Sequence, residues 1–179
     1  MPAFSSLREA NITRQREWDT GGDIDLSYSG NELAGEAGEL IEAVDAILHD
    51  GDDYQAVREE MADTIICCDL IALRLDMTIV TELSRPDPLG CIGDIQQILI
   101  DIAIEVGRIS NTIKKRERER FGMVGARGSL DDLRRNLNEM VVHVYRLGSA
   151  LGESPRDAVA EKFNMTSAKY GLATTMEVN

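Results

Sequence analysis

The chain is 179 residues long, and 32 acidic against 19 basic side chains give it a formal charge of -13. That balance excludes a general binder of DNA or RNA backbones, which needs a basic footprint. Hydrophobic residues at 43% exclude global disorder, and aromatic residues at 4% exclude large stacking surfaces.

Helical periodicity dominates the chain. A first helix is predicted over about residues 5–18, ending at Trp18, and GGDIDLSYSG reads as a loop. A long helix follows from about Asn31 to Ile47, with Leu33, Ala37, Leu40, Val44 and Ile47 on one stripe. HDGDD breaks it, and a second long helix runs from about Tyr54 to Leu75. SRPDPLG, with two prolines and a glycine, is the clearest linker. Further helices are expected over about 92–120, from Ser129 to about Leu151, and over about 155–170, with Pro155 in the first turn of the last. The tail after Gly171 is expected to fray, and no segment predicts a strand. The expectation is an all-α helical bundle without a sheet.

No apolar run reaches the length of a membrane span, since Asp69 and Arg74 interrupt the best one. The opening MPAFSSLREANITRQREW lacks the apolar core of a signal peptide. Cys67, Cys68 and Cys91 form neither a zinc spacing nor an even disulfide set, so they are expected to be reduced and buried. These features predict a cytoplasmic protein with no membrane partner.

Residues 1–90 hold 20 acidic and 6 basic side chains and no lysine, whereas residues 91–179 hold 12 acidic and 13 basic. The halves nevertheless align as copies. EAGELIEAVDAI over EVGRISNTIKK sets Glu36 on Glu105 and Gly38 on Gly107. YQAVREEMADTIICCDLIALRL over LDDLRRNLNEMVVHVYRLGSAL sets Arg58 on Arg134 and Met61 on Leu137. Residues 1–84 are read as a first unit, 85–91 as a linker and 92–179 as a second unit, each a helical hairpin.

Glu36 and Glu39 stand three apart on one helix, and Glu60 and Asp63 repeat the spacing on the next. A short loop joins these helices, so the four carboxylates converge between them. Apolar neighbours crowd both pairs, and clustered carboxylates at a core edge need a positive partner. Hard oxygen ligands suit Mg²⁺, with Mn²⁺ as a substitute.

ELAGEAGEL followed by REEMADTIICCDLIAL resembles the ExxE…ExxD signature of the MazG-like, all-α nucleoside triphosphate pyrophosphohydrolases. RQREW at the start and EKFNMTSAKYG at the end extend the likeness over most of the chain. The resemblance implies hydrolysis of a nucleoside triphosphate, ribo or deoxy, to the monophosphate and pyrophosphate. It implies Glu36, Glu39, Glu60 and Asp63 as ligands of Mg²⁺ and a homo-oligomer; a homodimer is expected, with Glu39 as the base for the attacking water. One departure is Gly35, which stands where many members carry a further Glu.

The second unit resembles the family in a degenerate form. Arg108 and Asn136 replace two acidic positions, so metal is not expected there. It contributes instead a basic run with Asn111, Lys114, Lys115 and Arg118, expected near the nucleotide in one composite site. Lys162, Asn164 and Lys169 resemble the family's phosphate-binding positions, and Trp18 is a candidate for stacking on the base. The competing readings are a narrow dUTPase- or dCTPase-like enzyme, a phosphoribosyl-ATP pyrophosphohydrolase, and a non-catalytic helical interaction module.

Overall fold

The structure is a computed structural model, and it describes residues 3–51, 54–83 and 95–178. The described residues form six helices: α1 (Leu7–Trp18), α2 (Leu26–Asp50), α3 (Tyr54–Arg74), α4 (Ile95–Arg120), α5 (Leu130–Leu151) and α6 (Pro155–Tyr170). There is no sheet among the described residues; Phe4 and Met176 form one isolated parallel bridge. The expected linker at 85–91, with Cys91, lies outside the described residues.

Local chemistry sets the helix ends. The side chains of Ser6, Asp25, Ser129 and Ser154 cap the N-termini of α1, α2, α5 and α6 by accepting a backbone N–H. The Asp25 cap makes α2 begin before Asn31, so LSYSG, expected as loop, is helical. Gly51 closes α2 at φ 69°, a left-handed conformation that glycine adopts without strain. The chain then reverses, and α3 packs back along α2.

Four helices close into a ring, in which α2 packs on α3, α3 on α5, α5 on α4 and α4 on α2. Gly30 permits the last contact, since a Cβ there would lie 2.8 Å from Cδ1 of Ile113. The register that sets Glu36 on Glu105 lays α2 over α4. The second alignment lays α3 over α5. Buried Val57, Met61 and Ile65 of α3 then match buried Leu133, Leu137 and Val141 of α5.

Helices α1 and α6 lie outside the ring against α3. Helix α3 is therefore enclosed on most sides, and its buried residues are not confined to one stripe. Asp69, fully buried, ties α1 to α3 by an ion pair with Arg8 at 2.7 Å and a hydrogen bond from Asn11 at 2.9 Å. Arg58 ties α3 to Glu153 in the α5–α6 turn and to Glu161 of α6, both at 2.6 Å.

The tail does not fray as expected. Asn164 clasps the backbone of Met176 through both its amide groups, and Glu17 accepts from the N–H groups of Ala173 and Thr174 and the Thr174 hydroxyl. Cys67 and Cys68 are buried free thiols. Among the described residues, no helix is long and apolar enough to cross a membrane.

Candidate functional site

A cavity of about 530 Å³ opens between α1, α2, α3 and α6. Its floor is the pair of carboxylate motifs. Helical spacing turns Glu36 and Glu39 of α2 to the same side, and the returning α3 presents Glu60 and Asp63 opposite. Carboxylate oxygens of Glu36, Glu60 and Asp63 lie within 4.8 Å of one another. Glu39 lines the same cavity, exposed and outside that group of three.

The cluster is electrostatically uncomfortable. Burial, and then the charges of Asp63, Glu60 and Glu39, push the Glu36 carboxyl up to about 7. Glu36 thereby keeps a proton at pH values where an ordinary glutamate is ionised, and donates it to Glu60. Burial followed by the Asp63 charge also raises Glu60. Oε2 of Glu60 is buried with no hydrogen-bond partner. An orphaned oxygen among three converging carboxylates is the arrangement that a hard divalent cation satisfies.

Cations line the same cavity. Lys162 of α6 lies 2.8 Å from Oε2 of Glu59 and 3.1 Å from Oδ2 of Asp63. Burial alone would lower this ammonium, but its bonds to Glu59 and Asp63 outweigh that and raise it. They also offset part of the rise that burial imposes on Asp63. Arg14 of α1 donates to the Phe163 carbonyl at 3.2 Å and lies over the Phe163 ring at 3.4 Å. Burial lowers the Arg14 pKa to about 10, against the attraction of Asp63, and the guanidinium remains charged. Lys169 lines the outer part of the cavity.

Trp18 also lines the cavity, where its ring meets Tyr170 edge-on at 4.8 Å between centroids. The two rings are 42% and 56% exposed, so neither is consumed by the core. Gln15, Ile24 and Arg74 complete that end.

The composite site expected from the second unit is not assembled within one chain. Lys114 and Arg118 line a separate cavity of about 440 Å³ with Ser27, Gly30, Asn31 and Phe121. Lys115 and Arg118 line another under the α4–α5 loop. Asn111 is exposed on α4 and lines none of these three. Helix α2 explains the separation. It turns Ser27, Gly30 and Asn31 toward α4 and Glu32, Glu36 and Glu39 toward the acidic cavity, on roughly opposite faces. Asn164, placed by resemblance near phosphate, has both amide groups occupied by Met176 and does not line the acidic cavity.

In the second unit Arg108 forms an ion pair with the buried Glu105, the counterpart of Glu36. Among the described residues, the only cluster of potential metal ligands is Glu36, Glu60 and Asp63.

Sequence reasoning missed Arg14, Gln15, Glu59, Arg74 and Tyr170. One signal was available: Arg14, Gln15 and Trp18 fall on adjacent turns of one short helix, so a role for Trp18 implicates the other two. No family model, curated protein or solved structure matches the chain.

Proposed function

We propose that the protein is a Mg²⁺-dependent nucleoside triphosphate pyrophosphohydrolase of the MazG-like kind, with its site in the acidic cavity. The observation that carries this reading is that charges of both signs line one cavity. Three carboxylates converge within 4.8 Å, and Lys162, Lys169 and Arg14 line the same space, with Lys162 in contact with Asp63 at 3.1 Å. A metal–triphosphate complex uses both signs.

Glu36, Glu60 and Asp63 are the residues that would hold Mg²⁺, with Glu39 at the edge of the set. When bound, the cation would neutralise phosphate charge and polarise the phosphoryl group under attack. Lys162 and Lys169 meet the outer phosphates and stabilise the charge that builds on departing pyrophosphate. Arg14, held from behind by Phe163, adds fixed positive potential. Glu39, outside the group of three, is the carboxylate left to take the proton of the attacking water. Trp18 and Tyr170 offer the base an aromatic wall.

The test is a panel of ribo- and deoxyribonucleoside triphosphates with Mg²⁺, following pyrophosphate and monophosphate together. Stoichiometric release of both, lost on chelation and in Glu39→Gln, supports the reading. Release of inorganic phosphate instead, or turnover unaffected by Glu39→Gln, rejects the reaction or the base respectively.

A further inference from the structure

The aromatic end of the cavity contains a side-chain amide whose direction is fixed. Arg74, at the end of α3, donates to the Ser29 hydroxyl at 2.7 Å, to the Ile24 carbonyl, and to Oε1 of Gln15 at 3.2 Å. Guanidinium has five donors and no acceptor, so the Gln15 oxygen must face it. The Gln15 NH₂ is thus the group left for another partner. Arg74 is itself anchored from two directions. Ser29 belongs to α2, and Ile24 belongs to a turn where the Asp19 carboxylate accepts from the N–H groups of Asp23 and Ile24.

This amide stands one turn before Trp18 on α1, beside the Trp18–Tyr170 pair, and lines the same cavity. An exposed aromatic face beside a donor of fixed direction matches a planar heteroaromatic ring that presents an acceptor at its edge. The placement also suits the proposed phosphate end. At 1.5 Å per residue, Asp63 and Arg74 are about 16 Å apart along α3. An extended nucleoside triphosphate covers that span.

Building on the pyrophosphohydrolase reading, we propose that Gln15, positioned by Arg74, reads the nucleobase and selects keto bases over amino bases. A keto oxygen accepts from the Gln15 NH₂. An exocyclic amine in its place sets donor against donor, and the fixed amide must shift toward the neighbouring ring nitrogen to regain an acceptor. The Arg74 charge behind the amide polarises its N–H groups and sharpens the choice.

The experiment compares kcat/KM for uridine against cytidine triphosphate, and for inosine against adenosine triphosphate. Each pair exchanges a keto edge for an amine. The wild type is expected to favour the keto member by at least about tenfold. Gln15→Glu turns the group facing the base into an acceptor and keeps an Arg74 partner, so the ratio should fall below one. Gln15→Met should bring it near one. Arg74→Lys, whose single ammonium cannot span the three partners that separate guanidinium nitrogens reach, should also lower it. A wild-type ratio near one, or a ratio unchanged in Gln15→Glu while hydrolysis continues, overturns base selection and leaves the pyrophosphohydrolase reading intact. Absence of hydrolysis on all four nucleotides defeats that reading, and base selection falls with it.

Discussion

Lys162 sits on Asp63. The ammonium, 3.1 Å from the carboxylate, already occupies part of the charge that a divalent cation would need. The same lysine is one of the two assigned to the outer phosphates in the proposed function. Its two roles oppose each other, and they are separable. Lys162→Met is expected to tighten Mg²⁺ binding by the nucleotide-free protein several-fold, because a competing charge is gone. It should raise the KM for triphosphates by about tenfold or more. Calorimetric titration with Mg²⁺ and steady-state kinetics read the two effects independently. Weaker Mg²⁺ binding in the variant would show that Lys162 orders the ligands instead of competing with their cation.

Glu36→Gln and Asp63→Asn should each lower kcat by more than about a hundredfold, since even outer-shell changes at metal sites cost ten- to a hundredfold. Their helical content should remain. The metal-free Glu36→Gln protein should melt no lower than the wild type, because the change removes one of several crowded carboxylates. Circular dichroism with heating checks the stability, and the same nucleotide assay checks turnover. Full activity in either variant removes the proposed metal ligands.

The raised Glu36 pKa makes a signed prediction for pH. Its folded value of about 7 lies above the unfolded value near 4.5, so the folded state binds more protons between those limits. Stability of the metal-free protein should therefore fall as pH rises from about 5 through 7, and Glu60 and Asp63, raised in the same direction, add to the slope. Mg²⁺ should reverse the trend, because binding requires the proton to leave. Melting curves across pH, with and without Mg²⁺, test this. A metal-free protein that gains stability over that interval would contradict it.

Lys114→Ala with Lys115→Ala should change the KM for triphosphates by less than about twofold. Lys114 opens onto a cavity separated from the carboxylates by α2, and Lys115 lies beneath the α4–α5 loop. A tenfold or larger rise, measured in the nucleotide assay, would mean that a second copy carries these lysines to the acidic cavity, and cross-linking at that face would then be the next measurement.

The helices were legible because their signals are local. Apolar spacing, the serine caps and Pro155 placed α3, α5 and α6 almost to their ends. Asp25 was the missed cap, which hid the first turns of α2 behind glycine and serine. The carboxylate quartet was also local, since two helices and a short turn contain it. The cations were harder to assign. Nothing in KKRERER shows which way α4 faces, and α2 turns out to stand between that run and the acidic cavity. Gln15 and Arg74 lie far apart in the chain and are joined only by tertiary contact.

The cavity is lined by neighbours in sequence and by residues far apart in it. The carboxylates belong to a single hairpin, while Arg14 and Lys162 come from α1 and α6; α1 meets Phe163 of α6 through Arg14 and Thr174 beyond α6 through Glu17, across separations of about 150 residues. Bonds between Phe4 and the segment near Met176 latch these ends together. Local opening of a protein proceeds from its least protected parts, and a latch of a few hydrogen bonds is weaker than a buried hairpin. Unlatching would part Arg14 and Lys162 while the carboxylates, held in one hairpin, kept their register.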